Sequence, residues 1–311
     1  MRQRITGLVA ATFTPMHSDG SLRLEAAGRM VEYLLGAGIR ALYVVGSTGE
    51  GVSLTGQERR ATAEAFVRAA AGRVPVIVQV GHTSLAEARE LAVHAQAIGA
   101  DAVSAVPPFY WKPTSAANLA DCMAQVAAGA PKLPFYYYHI PAITSVGLDL
   151  VEFIRIARER VPTFAGIKYT APTVQEYMAC VAEAGDRLDI LWGTDEMLIS
   201  GLVAGAKAAV GSTYNYAPGL YRRIIEAFER GDLAEARRWQ LLSVEMVRCI
   251  LSAGGLAAQK ATMRLIGYDC GPTRLPLAPL SDEQIERMAQ RLREIGLAAA
   301  TSGSPGGLEP I

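Results

Sequence analysis

Thr163-Phe164-Ala165-Gly166-Ile167-Lys168 is a short apolar run that ends in a lysine. A run of this length and composition reads as a buried strand. The chain holds 30 basic side chains, of which only Lys112, Lys132, Lys168, Lys207 and Lys260 are lysines. The other four are expected in loops or on polar-rich segments, which leaves Lys168 as the lysine that closes a buried strand. Desolvation disfavours an ammonium, and a neutral amine in a pocket is the nucleophile that forms Schiff bases with carbonyl compounds. The plainer reading is a lysine whose stem snorkels from a strand end to solvent.

Similar apolar runs recur near residues 7–14, 41–45, 74–80, 101–106, 133–140, 188–192 and 207–211. Between them lie Ala-, Leu- and Arg-rich segments with helical spacing, such as 56–71, 84–98 and 115–128. Near-continuous apolar strands alternating with helices predict a parallel sheet covered on both faces. Eight such units fit a (β/α)8 barrel, a TIM barrel, over residues 1–217. Residues 218–300 read as helical only and are expected to pack on the barrel as a C-terminal extension. The stretch 301–311, with Thr301-Ser302-Gly303-Ser304-Pro305-Gly306-Gly307, reads as a disordered tail.

Two further runs carry chemistry. Leu133-Pro134-Phe135-Tyr136-Tyr137-Tyr138-His139-Ile140-Pro141 is rich in strand-forming residues. Strand side chains alternate, so Tyr136 and Tyr138 share one face and Tyr137 takes the other. If the inner face carries Tyr138, a phenol able to pass protons stands near the strand end; otherwise all three rings are core packing. His139 then points away from Tyr138, into core or interface. Val45-Gly46-Ser47-Thr48-Gly49-Glu50-Gly51 follows a strand-like run and offers backbone N–H groups and two hydroxyls, an anion cradle. It lacks the Gly-Lys-Ser/Thr of a triphosphate loop and suits a carboxylate better.

Every strand reads as ending in a polar tip: Thr12 and Thr14, Ser47 and Thr48, His82, Tyr110, Tyr138, Lys168, Asp195 and Glu196, Ser212 and Thr213. Barrel active sites form at that rim. Asp195 and Glu196 can accept hydrogen bonds from hydroxyls, or serve as cap and first-turn acid of a helix starting near 196.

Composition sets bounds. Half of the 311 residues are hydrophobic, enough for one large core. The 30 basic and 30 acidic side chains cancel, with no basic stripe, so nucleic-acid and membrane partners are disfavoured. No apolar stretch reaches the ~20 residues of a membrane span. The first residues, Met1-Arg2-Gln3-Arg4-Ile5, lack a signal-peptide core, and a cytoplasmic location is expected. Cys122, Cys180, Cys249 and Cys270 have no metal-type spacing and read as reduced, buried thiols.

The set Gly46-Ser47-Thr48-Gly49-Glu50, Tyr138-His139-Ile140-Pro141, Gly166-Ile167-Lys168 and Gly211-Ser212-Thr213-Tyr214-Asn215 resembles the pyruvate-dependent class I aldolase family of dihydrodipicolinate synthase and N-acetylneuraminate lyase. The likeness runs from about residue 5 to 300. Tyr-His-Ile-Pro followed by Gly193-Thr194-Asp195-Glu196 looks like the sialic acid lyase branch. The resemblance implies a Schiff base between Lys168 and C2 of pyruvate, no metal or organic cofactor, and a homotetramer. It implies catalytic roles for Lys168, Tyr138, Ser47 and Tyr110, the last reaching into a neighbouring subunit's site. It implies that Ser47 and Thr48 bind the pyruvate carboxylate, and that Thr170, Gly193, Asp195, Glu196, Gly211 and Ser212 contact the rest of a sugar acid. In the synthase, an arginine just after the Tyr-Asn-Val-Pro stretch grips a second carboxylate. Ile143 stands at the matching position and cannot supply that fork of donors.

The expected reaction is cleavage of N-acetylneuraminate to N-acetylmannosamine and pyruvate. The alternatives are an aldolase of the same family acting on another 2-keto-3-deoxy sugar acid or 4-hydroxy-2-oxo acid, and a catalytically silent barrel that binds pyruvate.

Overall fold

A computed structural model describes residues 4–297; the expectation for 301–311 lies outside them. Eight strands close a barrel in chain order: β1 (Gly7–Ala11), β2 (Ala41–Val44), β3 (Val76–Gln79), β4 (Ala102–Ala105), β5 (Phe135–His139), β6 (Phe164–Tyr169), β7 (Asp189–Trp192) and β8 (Ala208–Gly211). All pairs are parallel, and β8 returns to β1. Seven strands fall inside the apolar runs that announced them, and β6 runs one residue beyond its run, to Tyr169.

The strands are buried on both faces, and alternation sorts their residues into two cores. Val9, Ala11, Tyr43, Ile77, Tyr136, Tyr138, Leu191 and Val210 fill the barrel interior. Leu8, Leu42, Val44, Val103, Tyr137 and Ile167 meet the helices outside. The intervening helices are α1 (Ala26–Gly36), α2 (Gly56–Ala70), α3 (Leu85–Ala97), α4 (Ala116–Ala127), the one-turn α5 (Pro141–Thr144), α6 (Leu150–Arg160), α7 (Val174–Ala184) and α8 (Leu198–Val203), and α9 (Pro218–Glu229) follows the last strand. Side-chain caps fix several starts: Thr55 with Glu58 forms a reciprocal capping box on α2, and Ser84, Ser115 and Asp149 cap α3, α4 and α6. Each such cap contributes about 1 kcal/mol.

Beyond α9 lie α10 (Leu233–Gly254), α11 (Leu256–Leu265) and α12 (Asp282–Glu294). Ile285, Met288 and Leu292 share one buried stripe of α12, at the three-and-four spacing of a helix face. The α10 helix runs beside α9, and its residues Val247, Ile250 and Leu251 reach the mouth of the barrel.

One irregularity decides what the barrel contains. Phe135 pairs with Phe164, but Tyr136 pairs with Gly166, so β6 carries one extra residue. This β-bulge resets the alternation. Ala165 faces inward, Ile167 outward, and Lys168 inward beside Tyr138. Gly166 sits at φ 151°, and a Cβ there would lie 1.9 Å from the Asp189 carbonyl oxygen. Only glycine fits.

Candidate active site

At the C-terminal ends of the strands opens a cleft of about 690 Å³. Its floor holds Lys168, 5% exposed, whose register partner on β5 is Tyr138. The Lys168 Nζ stands 3.8 Å from the centroid of the Tyr138 ring and 4.3 Å from that of Tyr43. The two rings meet edge to face, with centroids 5.7 Å apart. Tyr43 is oriented by its hydroxyl, which donates to Ser104 Oγ at 2.9 Å. Among the described residues, Lys168 has neither a hydrogen bond nor an ion pair. Its amine is held by aromatic faces and left open to the cleft.

The loop after β2 brings Ser47 and Thr48 to the same cleft. Thr14 Oγ1 donates to the Gly49 carbonyl at 2.7 Å and fixes this loop from below. Thr170, Gly193, Asp195, Glu196, Gly211 and Ser212 line the opposite wall. Asp195 Oδ2 accepts from the Thr213 amide at 3.0 Å and from Thr213 Oγ1 at 2.6 Å. Burial pushes its carboxyl up to about 6, against those two donors, which lower it. Asp195 Oδ1 and Thr170 Oγ1 are buried without a partner among the described residues. Both belong to residues that line the cleft, so a ligand hydroxyl would relieve a real desolvation cost. Gly211 makes room for the Asp195 carboxylate: a Cβ there would fall 1.8 Å from Oδ1. Gly193 likewise clears Thr170 Oγ1, 2.1 Å from where its Cβ would be. The outer wall is apolar, with Val52, Ile143, Val247, Leu251 and Leu277.

The profile of the Dihydrodipicolinate synthetase family matches residues 4–295. The chain belongs to this family. It is 40% identical to the N-acetylneuraminate lyase of Gallus gallus over 94% of its own length and 97% of the relative's. With the N-acetylneuraminate lyase of Xenopus tropicalis it shares 43% identity, over 88% of this chain and 91% of that one. The N-acetylneuraminate lyase structure from Aliivibrio salmonicida superposes with a TM-score of 0.92 at 37% identity, covering 95% of this chain and 98% of that one. The barrel, the family and the branch expected from the motifs are all borne out.

In this family member the rim is less uniform than its strand tips suggest. Lys168, Tyr138, Ser47, Thr48, Thr170, Gly193, Asp195, Glu196, Gly211 and Ser212 converge on one cleft. Tyr110 does not: it lies 74% exposed, edge-on to Trp111, away from this chain's own cleft. Thr14 is spent on the loop, and the His82 ring accepts the Ser84 amide at 2.9 Å. Asp195 makes no side-chain cap at the helical turn that begins there. Cys180 and Cys270 are buried, but Cys122 and Cys249 are only half-buried. Lys260 was expected on a polar segment and is instead 2% exposed, paired with Glu50 at 2.7 Å. Its partner lies far off in sequence, and no local pattern marks the pair. Tyr43 and Ser104, inside the barrel, were also missed; their strands announce burial but not which neighbour they touch. Among the described residues no group of three His, Cys, Asp or Glu side chains could hold a metal ion, and no single helix is long and apolar enough to cross a membrane.

Proposed function

We propose that this chain is a Schiff-base lyase that cleaves N-acetylneuraminate into N-acetylmannosamine and pyruvate. The observation that carries the reading is the Lys168 amine, buried, unpaired among the described residues, and flanked by Tyr138 on the floor of a cleft. Full-length likeness to proteins named N-acetylneuraminate lyase supports the substrate. So does Ile143 on the cleft wall, where the synthase resemblance calls for an arginine.

The chemistry follows from the positions. The Lys168 amine adds to the C2 carbonyl of the open-chain sugar acid, and Tyr138 gives its phenol proton to the departing hydroxyl, so that water leaves, an iminium forms and Tyr138 becomes a phenolate. Ser47 and Thr48 hold the C1 carboxylate beside it. The iminium is an electron sink, so the C3–C4 bonding pair moves toward nitrogen as Tyr138 takes the C4 hydroxyl proton. The aldehyde departs, leaving an enamine. The proton returns from Tyr138 to C3, and hydrolysis frees pyruvate and restores the amine. Thr170, Asp195 and Glu196, with the backbone around Gly193, Gly211 and Ser212, hold the hydroxyl chain beyond C4. No metal or organic cofactor enters this sequence of steps.

A homotetramer is part of the proposal. The exposed Tyr110–Trp111 pair supports a contact in which Tyr110 completes a neighbouring subunit's cleft. A cytoplasmic location, and the division into barrel 1–217 and helical extension 218–300, belong to the same reading.

Two measurements test it. Incubation with pyruvate and borohydride should fix a pyruvyl adduct on the peptide containing Lys168; an adduct on Lys207 or Lys260 instead would sink the mechanism. Pyruvate release should be fastest from N-acetylneuraminate in a panel with 2-keto-3-deoxygluconate and 4-hydroxy-2-oxoglutarate. Faster turnover of either shorter acid would leave the aldolase reading standing and remove the sialic acid one.

A further inference from the structure

Two non-glycine residues with left-handed backbones bracket the Ser47–Thr48 loop: Val45 at φ 60° and Glu50 at φ 54°. A β-branched residue in that region is an outlier, and such a backbone persists only where its surroundings over-determine it. Inside the loop, the Gly51 amide donates to the Gly46 carbonyl at 3.0 Å, and the Glu50 amide to Ser47 at 3.1 Å. Outside the loop, Thr14 holds the Gly49 carbonyl from β1's end, and a further hold comes from the C-terminal segment. Glu50 Oε1 lies 2.7 Å from Lys260 Nζ, both side chains being 1% exposed. Glu50 Oε2 accepts the Arg274 amide at 2.9 Å. Lys260, on α11, donates to the Pro272 carbonyl at 2.8 Å. The Arg274 guanidinium then grips both oxygens of Glu58, at 2.9 and 2.6 Å, the residue that closes the capping box of α2 just after the loop. The loop is thus clamped at Glu50 and again at Glu58 by one stretch, 272–274.

We infer that Glu50 and Lys260 are positioning residues for carboxylate recognition: their buried ion pair holds the strained loop in the form that turns Ser47 and Thr48 into the cleft. This rests on the proposed carboxylate role of Ser47 and Thr48. Glu50 borders the cleft and Lys260 lies outside it, and the role assigned to the pair is to hold the loop rather than to contact the ligand.

The test compares borohydride trapping of pyruvate with that of acetone, a ketone without a carboxylate, as a function of concentration. Lys260→Met alone strands a buried carboxylate, which is strongly destabilising, so the principal variant is Glu50→Gln/Lys260→Met, which removes both charges of the pair together. In that variant the half-saturating pyruvate concentration should rise by roughly ten- to a hundredfold, the scale of a misplaced binding group. Trapping of acetone on Lys168 should be unchanged, and kcat at saturation should hold. Glu50→Gln alone, read the same way, should move in the same direction. An unchanged pyruvate half-saturation overturns the inference, and so does an equal loss for acetone and pyruvate. If neither variant folds, the pair is a stability element and the inference is equally overturned. Wild type that traps no pyruvate on Lys168 would instead remove the underlying lyase reading, and the inference with it.

Discussion

Lys168 and Tyr138 are register partners on adjacent parallel strands, with the Lys168 Nζ 3.8 Å from the Tyr138 ring centroid. The pairing places the proposed nucleophile and the proposed base on rigid backbone at neighbouring points of one closed sheet. Neither depends on a loop for its position.

Tyr138→Phe removes the hydroxyl and keeps the ring that packs against Tyr43 and Lys168. A positioned general base contributes on the order of 10²–10⁴-fold. The variant should lose kcat in that range while its melting temperature and its trapping of pyruvate stay near wild type. Turnover close to normal would move the proton relay to another group.

The strands were legible because they are buried on both faces, which leaves runs that stay mostly apolar despite single buried polar residues such as Gln79, Ser104 and Asp189. The faces of β5 were legible too: strict alternation separates Tyr137 from Tyr136 and Tyr138. On β6 alternation misleads. Phe164 faces outward, and an unbroken two-residue period would send Lys168 outward with it. The extra residue at the Ala165–Gly166 bulge turns Lys168 into the barrel. A single inserted residue leaves no compositional trace; Gly166 is its only mark, and its meaning depends on the Asp189 carbonyl of the next strand. The Glu50–Lys260 pair was hidden for a related reason. A charged residue reads as solvated until its partner is known, and here the partner sits on a helix added after the barrel has closed. Tyr110 shows a third limit: its motif reads as a rim residue, and it lies exposed outside this chain's own cleft.

Acid stability should turn on His139. The ring is buried between Tyr137 and Tyr169, and burial lowers its affinity for protons from 6.5 to about 4. In the unfolded chain it protonates near 6.5. Between these values the unfolded state binds more protons, so stability is full above about pH 6.5 and falls as pH drops toward 4. The whole shift corresponds to about 3 kcal/mol. His139→Phe keeps an aromatic stack and removes the titration. Denaturant unfolding at pH 7 and at pH 4.5 should show a smaller difference in the variant than in wild type. Equal differences would assign the acid loss to other groups.

Glu196 and Asp195 adjoin in sequence and line the same wall, yet they should answer differently to loss of charge. Asp195 already holds the Thr213 amide and hydroxyl with Oδ2, so it ties the β8 loop to the β7 loop. No hydrogen bond or ion pair from the Glu196 side chain occurs among the described residues, which leaves its oxygens for ligand hydroxyls. Hydrogen bonds to charged groups contribute roughly 1.5–3 kcal/mol, or roughly ten- to a hundredfold in kcat/KM. Glu196→Gln should therefore lower kcat/KM for N-acetylneuraminate by that factor, with melting temperature and pyruvate trapping unchanged, since pyruvate has no chain beyond C3. Asp195→Asn replaces a charged acceptor with a weaker neutral one, and it should lower kcat/KM and loosen Thr213 together, with a changed melting temperature as the sign. Loss of pyruvate trapping in Glu196→Gln would mean that Glu196 supports the rim rather than the sugar chain. Parallel behaviour of the two variants would mean that the hydrogen bonds to Thr213 do not set Asp195 apart.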